Sequence, residues 1–141
     1  MKPKFREFDR ERHRTDYQKG MSYGEQQDFD MGFTIWFDHI EDLDLIEKDG
    51  NINRIVMMST GLKDKNGTEI YEGDILKWLG HHGHGWQATI YGFITYEKEQ
   101  ARFRLTEDNN EYYEDIYRIS KIGEVVGNIY ENPELLERSS E

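Results

Sequence analysis

The sequence predicts a mainly β fold with a small barrel in its second half. Apolar residues alternate with polar ones over several short stretches, which is the period of two that a half-buried strand requires. From residue 59 onward these stretches recur about every ten residues between turn sequences, a spacing typical of a small, strongly bent barrel. A convincing helical signal is present only near the C-terminus, so we expect helices to contribute little.

Residues 1–58 are predicted to form a smaller, β-containing N-terminal region. Phe5 and Phe8 mark a first extended segment. The clearest strand covers 29–37, where every second residue is apolar. A further extended run covers 52–58, and the acidic stretch before it is interpreted as a loop.

Glycine-containing turns divide the second part of the chain, residues 59–141. Lys65-Asn66-Gly67 and Glu72-Gly73-Asp74 are turn sequences, because Asn and Gly tolerate the positive φ that tight turns need. Gly123 and Gly127 indicate a bulge or a sharp bend inside the last strand. The strands predicted here cover 75–79, 86–96, 101–105 and 122–130.

A short helical turn is predicted at the C-terminus. Asn132 is a suitable N-cap, and Pro133 fits the first helical position, where its missing N–H costs nothing. Glu134 follows near the positive end of the helix dipole. Leu135 and Leu136 would hold this turn against the rest of the domain.

Charge disfavours direct binding to nucleic acid. The chain has 18 Lys and Arg against 29 Asp and Glu, a formal charge of −11 at pH 7. Neutralising phosphates requires concentrated Lys and Arg. Residues 1–20 are the basic part, with seven basic and four acidic side chains, but their signs are interleaved. We interpret this segment as an exposed hairpin of mixed charge.

Composition also limits the class of protein and its compartment. Aromatic residues make up 13% of the chain, which argues against disorder because large rings repay the entropy of ordering. Cysteine is absent, so disulfides and thiolate metal sites are excluded and a reducing compartment is compatible. No apolar run approaches the roughly 18 residues of a membrane span, and the charged start predicts no secretory signal. We expect an acidic protein of the cytoplasm with no membrane partner.

Three histidines, His81, His82 and His84, lie in the glycine-rich segment 80–85. Closely spaced imidazoles can bind zinc or nickel. A structured metal site needs rigid elements and supporting hydrogen bonds, however, which glycines do not supply. We interpret the segment as a flexible connection between strands, keep the three histidines as weak metal candidates and predict no cofactor.

Four carboxylates, those of Asp64, Glu69, Glu72 and Asp74, cluster around the first two glycine turns. Paired carboxylates can act as general acid and base or bind Mg²⁺. Asp64 and Asp74 each lie beside a turn, where an aspartate accepts hydrogen bonds from nearby backbone N–H groups. We interpret these two as turn-stabilising and predict no catalytic residue.

The aromatic side chains are the candidates for a partner-binding surface. Nine tyrosines and three tryptophans are more than a small core easily buries. Small barrels use such rings to bind proline-rich peptides or nucleic acid bases, but rings at alternating strand positions also pack in the core and at its rim. Both interpretations stay open for the candidates, which are Tyr71, Trp78, Trp86, Tyr91, Tyr112 and Tyr113.

Two long stretches resemble the signature of the YopX family of phage and prophage proteins. They are 59–77, which reads STGLKDKNGTEIYEGDILK, and 123–136, which reads GEVVGNIYENPELL. The opening at 4–9 resembles the usual start of that family. The resemblance implies a C-terminal SH3-type β-barrel over 59–141, preceded by the smaller and more variable region 1–58. It implies no catalytic residue, because the biochemical role of the family is not established.

Three functions are compatible with these observations. The first is a non-catalytic phage or prophage accessory protein that contacts a phage or host protein in the bacterial cytoplasm. The second is a nucleic-acid-associated protein, including one that imitates the charge of DNA and occupies host DNA-binding proteins. The third is a metal-dependent enzyme that uses the histidine segment. The lack of a catalytic constellation favours the first, and a detached strand region favours a homo-oligomer formed by pairing or exchanging strands.

Overall fold

The computed structural model describes residues 4–10, 20–29, 32–37, 54–82, 86–107 and 113–138. Within these ranges the chain is mainly β, as the sequence predicts, with ten strands, one α-helix and two short 3-10 turns. The strands form two five-stranded sheets.

The elements follow one another along the chain without long helices. The strands are β1 (Phe5–Asp9), β2 (Met21–Phe29), β3 (Gly32–Phe37), β4 (Arg54–Lys63), β5 (Glu69–Tyr71), β6 (Asp74–His82), β7 (Trp86–Glu97), β8 (Arg102–Glu107), β9 (Tyr113–Glu114) and β10 (Glu124–Asn128). The helix α1 covers Ile116–Ile122, and the 3-10 turns cover Lys98–Gln100 and Pro133–Arg138. The chain divides into two compact units, Met1–Ser59 and Thr60–Glu141, so β4 crosses the boundary.

In the first unit, β1 is an inner strand that pairs on both sides. It runs antiparallel to β2, with Phe8 opposite Met21, and antiparallel to β4, with Phe8 opposite Ile55. The Ser59 N–H donates to the Lys4 carbonyl at 2.8 Å, which continues the contact between β1 and β4. Strand β3 pairs with β2, so the order in this unit is β3-β2-β1-β4.

Two charged residues of β1 are buried, although the sequence predicts an exposed hairpin there. Arg6 is 2% exposed and Glu7 is 1% exposed. Consecutive strand residues point to opposite faces, so both faces of β1 are covered at this point. The prediction is wrong for β1 because a mixed charge pattern does not reveal that both faces of a strand are covered. Residues 11–19 of the predicted hairpin lie outside the described residues.

The strand predicted over 29–37 is in fact parts of two strands. Phe29 ends β2 and Gly32 begins β3, and these two residues face each other in an antiparallel pair. Alternating apolar residues predict extended backbone correctly but carry no information about a reversal between two extended segments. The acidic loop predicted before β4 lies outside the described residues.

In the second unit, five strands follow the order β10-β6-β7-β8-β9. Strands β6 and β7 form a long antiparallel hairpin, in which Ile75 lies opposite Phe93 and His82 lies opposite Trp86. Strand β8 pairs with β7 on the other side, with Ile94 opposite Leu105. The strands predicted at 75–79, 86–96 and 101–105 are confirmed, and β6 extends three residues further than predicted.

The core of the second unit consists of apolar side chains from five elements. They are Ile70 of β5, Leu76 and Trp78 of β6, Ile94 of β7, Leu105 of β8 and Ile119 of α1. Burial of a large apolar side chain contributes about 1.5–3 kcal/mol, so this cluster is the main source of stability for the unit. Leu62, Phe103 and Ile116 are partly buried and pack against it.

The helix α1 was not predicted from the sequence. Asp115 caps it, because its carboxylate accepts hydrogen bonds from the N–H groups of Tyr117 at 3.0 Å and Arg118 at 3.3 Å. Ile119 points into the core and is fully buried. A helix of seven residues gives too short a periodic pattern to stand out, and its stability comes from this packing. The strand predicted at 122–130 is present as the shorter β10, because α1 includes Ile122, the first residue of the predicted strand.

The predicted turns and the predicted bulge are confirmed. Gly67 and Gly73 have φ values of 85° and 87°, a backbone conformation that side-chain-bearing residues rarely adopt. The pairing of β10 with β6 shifts register between Val125 and Gly127. The predicted C-terminal helical turn is present as the second 3-10 turn. Among the described residues, none of the helices has the length and apolar character needed to cross a membrane.

Candidate functional site

The histidine segment is partly strand rather than a flexible connection. The backbone of His81 lies opposite Gln87 and that of His82 opposite Trp86, because the β6–β7 hairpin continues to this point. The predicted flexible connection is therefore wrong for its first three residues. His84 lies outside the described residues. Within the parts of the chain that the structure describes, no three His, Cys, Asp or Glu residues are grouped to hold a metal ion, and the metal hypothesis for this segment stays a prediction.

Two of the six aromatic candidates are buried. Tyr71 is 7% exposed and Trp78 is 4% exposed. Trp78 belongs to the core cluster of the second unit. For these two residues the structure favours the packing interpretation over a role in a partner-binding surface.

The other four aromatic candidates are spread over several places. Tyr91 is half-buried in β7. Trp86 is the first residue of β7 and Tyr113 is the first residue of β9, while Tyr112 lies outside the described residues. Their participation in a partner-binding surface stays a prediction.

The carboxylate of Asp64 is used by the backbone of its own turn and of β10. Its Oδ1 accepts hydrogen bonds from the N–H groups of Asn66 at 2.8 Å and Thr68 at 2.9 Å. Its Oδ2 accepts from the N–H of Val125 at 2.8 Å. Asp64 is buried, with only 7% of its surface exposed. This confirms the turn-stabilising interpretation of Asp64.

Asp74 acts in the same way at the next turn. Its Oδ2 accepts a hydrogen bond from the Tyr71 N–H at 2.8 Å, and its side chain is buried. Gly73, between them, donates to the Ile94 carbonyl at 2.8 Å and accepts from the Ile129 N–H at 2.9 Å. The tight turn thus ties β7 and the segment after β10 together, and Asp74 stabilises it.

A groove of about 620 Å³ lies on the surface of the second unit between β4, β8 and the start of α1. We call it the apolar groove. It is lined by Thr60 and Leu62 of β4, Arg102, Phe103 and Arg104 of β8, and Asp115 and Ile116 at the N-terminus of α1. Leu62, Phe103 and Ile116 are partly buried and rest on the core, so the groove has an apolar floor supported from below.

Two lining residues of the apolar groove, Phe103 and Thr60, make specific contacts with neighbouring residues. Phe103 packs edge-to-face against Tyr96, with ring centroids 5.2 Å apart and an interplanar angle of 64°. Thr60 Oγ1 donates to the Ile70 carbonyl at 2.8 Å. Both contacts fix side chains that line or support the groove, so its shape is largely preformed.

The two arginines of the apolar groove differ in their surroundings. Arg104 forms an ion pair with Glu97, and its Nη2 donates to Gln100 Oε1 at 2.6 Å. These bonds hold Arg104 on the β7–β8 hairpin. Arg102 is exposed at the edge of the groove. The groove therefore combines an apolar floor with an exposed guanidinium, the combination that protein interfaces favour in their central contacts.

A second groove, of about 490 Å³, adjoins the first and shares Leu62 with it. We call it the lysine groove. Its lining includes Leu62, Lys63, Asp64, Lys65, Tyr117 and Lys121. The Lys121 Nζ lies 5.0 Å from the centroid of the Tyr117 ring, a cation–π contact. Three lysines thus line one groove of a chain whose formal charge is −11.

Sequence reasoning singled out Asp64 but missed the other residues that line the two grooves. The floor of the apolar groove joins Leu62, Phe103 and Ile116, which lie on three elements far apart along the chain. No spacing rule connects them, because they meet only once β4, β8 and α1 pack on a common core. The one available local signal was Asp115 followed by Ile116 and Ile119, an N-cap with apolar residues at helical spacing.

Comparison with known proteins gives a family and a fold. The model of the YopX family, described as YopX protein, matches residues 4–137. Among solved structures, the chain is similar to protein EF1440 from Enterococcus faecalis, with 27% sequence identity and a TM-score of 0.53. That similarity covers 96% of this chain and 99% of the other. No curated protein matches the chain in sequence.

Proposed function

The chain belongs to the YopX family over nearly its whole length, and we propose that it is a non-catalytic protein-interaction module of a phage or prophage. Its partner in this proposal is a phage or host protein, and its place of action is the cytoplasm of the bacterial host. The observation that carries the proposal is the apolar groove, with Leu62, Phe103 and Ile116 on its floor and Arg102 at its edge.

The apolar groove fits an extended segment of another protein. Its floor offers apolar surface for one or two apolar side chains, and burial of that surface contributes about 25 cal/mol per Å². The exposed Arg102 offers hydrogen bonds to carbonyl or carboxylate oxygens of the same segment. A preformed groove reduces the entropy lost on binding, because its own side chains are already held in place.

A non-catalytic role is supported by what the buried carboxylates do. Asp64 and Asp74 lie in the part of the chain with the strongest family signature, and both accept hydrogen bonds from backbone N–H groups. Their oxygens are directed at the turns that they stabilise. Turn stabilisation therefore accounts for the presence of both aspartates in the stretch that resembles the family signature.

We propose in addition that the second unit is an SH3-type barrel. A long β6–β7 hairpin, a bulge in β10 and a short C-terminal 3-10 turn support this, because small barrels need such bends to close. Among the described strands, β3 is at the end of the strand order of its sheet, which supports a homo-oligomer formed by strand pairing.

A second candidate function rests on charge. With a formal charge of −11, the protein is suited to imitate the charge of DNA and to occupy a host DNA-binding protein. Burial of Arg6 in β1 takes one cation away from the basic first segment and so disfavours direct binding to nucleic acid.

The proposal is tested by capture of a partner with matched charge variants. Tagged protein carrying Arg102→Glu is compared with Arg118→Glu, an exposed arginine on α1 that lines neither groove. Both variants change the charge equally. We expect mass spectrometry to recover one partner with the wild type and with Arg118→Glu, and roughly tenfold less of it with Arg102→Glu. Equal recovery with both variants would contradict the proposal.

A further inference from the structure

We propose that the lysine groove binds an acidic segment of the partner protein, immediately beside the part of that segment that lies in the apolar groove. This inference rests on the proposed function, since it names the chemistry of the same partner. It concerns a different set of side chains, however, so the two can be tested separately.

The charge of the lysine groove is opposite to that of the chain. Lys63, Lys65 and Lys121 line it, and all three are exposed. The acid among the lining residues is Asp64, whose two oxygens accept three backbone hydrogen bonds and whose side chain is buried. The carboxylate is therefore turned inward, and the ammonium groups are the charges presented to a ligand.

The backbone that carries these lysines is fixed. The Lys65 N–H donates to the Gly123 carbonyl at 3.1 Å, which ties the turn to the end of α1. The hydrogen bond from the Val125 N–H to the Asp64 carboxylate connects the same turn to β10. Lys121 rests over the ring of Tyr117, which restricts its side chain. The turn that carries Lys65 and the side chain of Lys121 are thus held in place, which lowers the entropy lost when the groove binds an anion.

An acidic peptide fits this groove better than a nucleic acid does. The three lysines surround one groove of about 490 Å³ instead of following a track along the surface. Binding a nucleic acid requires cations along many successive phosphates, and the chain as a whole is strongly acidic. A short run of carboxylates needs only local contacts. Tyr117, 59% exposed, adds an aromatic surface for the backbone or an apolar side chain of the peptide.

Leu62 makes the two grooves adjoin. It lines both of them, so a segment that crosses it contacts the apolar floor on one side and the lysine groove on the other. We therefore expect a partner segment in which an apolar residue lies next to several Asp or Glu residues.

The test uses purified full-length protein and fluorescein-labelled peptides in an anisotropy titration at low salt. One peptide has a leucine with four Asp and Glu residues on each side, and its matched control has Asn and Gln in their place. Lys121→Gln is compared with Lys98→Gln, which removes an exposed lysine that lines neither groove. We expect the acidic peptide to bind the wild type and Lys98→Gln with Kd values within a factor of about two, and Lys121→Gln roughly tenfold more weakly.

Several results would overturn the inference. They are no binding of the acidic peptide to the wild type, equal binding of its amide control, or equal losses for Lys121→Gln and Lys98→Gln. Tighter binding of a single-stranded oligonucleotide with the same number of negative charges would assign the groove to nucleic acid instead.

A further pair of variants separates this inference from the proposed function. If Lys121→Gln weakens peptide binding while Arg102→Glu binds like Arg118→Glu, the acidic-segment site stands and the role of the apolar groove fails. If Arg102→Glu weakens binding more than Arg118→Glu while Lys121→Gln binds like the wild type, the apolar groove stands and the acidic-segment site is overturned.

Discussion

The Asp64 carboxylate accepts a hydrogen bond from the Val125 N–H at 2.8 Å, across 61 positions of sequence. The same carboxylate closes its own turn through Asn66 and Thr68. One side chain therefore organises a turn and attaches it to β10. The lysine groove is built on this junction, so its geometry depends on Asp64.

Removal of the Asp64 carboxylate is expected to destabilise the protein strongly. Asp64→Ala leaves three backbone N–H groups without their acceptor, and we expect a loss of about 3 kcal/mol in the free energy of unfolding. Asp64→Asn keeps one acceptor oxygen and should fall between alanine and the wild type. Urea denaturation followed by circular dichroism measures both, with the exposed Glu99→Ala as a control. A loss below about 1 kcal/mol for alanine would contradict this role of Asp64.

Two glycines of the β6–β7 hairpin are expected to respond differently to alanine. A Cβ at Gly92 would lie 2.9 Å from Trp78 Cη2 and 3.0 Å from the Thr106 carbonyl oxygen, which belongs to the backbone. A Cβ at Gly80 would meet the end of the Ile90 side chain, which can rotate away. We expect Gly92→Ala to cost about 2 kcal/mol or more and Gly80→Ala clearly less, by thermal and urea unfolding. Equal costs would show that the hairpin adjusts around Gly92.

The N-cap of α1 is expected to contribute measurably to stability. Asp115→Ala removes the acceptor for the Tyr117 and Arg118 N–H groups and should cost about 1 kcal/mol. Asp115→Ser retains a capping oxygen and should lower the free energy of unfolding by only about 0.3 kcal/mol. If serine and alanine destabilise the protein equally in urea titrations, capping is not what Asp115 contributes.

The floor of the apolar groove is expected to matter for binding a partner. Ile116→Gln makes the floor polar, whereas Ile122→Gln places the same change on an exposed residue of the same helix. We expect Ile116→Gln to weaken binding of the captured partner roughly tenfold, and Ile122→Gln by less than about twofold. Isothermal titration calorimetry gives both affinities, and urea unfolding checks that both variants are folded. If the two variants lose similar amounts of affinity, the effect comes from a general change in α1 and not from the floor of the groove.

The strands and turns were predictable because their signals are local. Gly67 and Gly73 lie where the backbone needs positive φ. Alternating apolar residues indicated most of β8, and residues with high strand propensity indicated most of β7. The bulge at Gly127 and the C-terminal turn after Asn132 followed from the same kind of local signal.

What could not be predicted depends on distant parts of the chain. Burial of Arg6 and Glu7 requires that both faces of β1 are covered, and the charges of one strand do not reveal this. The grooves could not be predicted either, because Leu62 and Phe103 meet only through packing on a shared core. The burial of Tyr71 and Trp78 could not be predicted for a related reason, since a count of rings does not say which of them a core will bury.

The central claim, that the apolar groove contacts another protein, is tested most directly by site-specific photocrosslinking in the native cell. A photoreactive amino acid is placed at position 102, at the edge of the groove, or at position 98, which is exposed and lines neither groove. We expect a covalent adduct with one distinct partner protein from position 102 and none from position 98. Adducts of equal yield from both positions would contradict the claim.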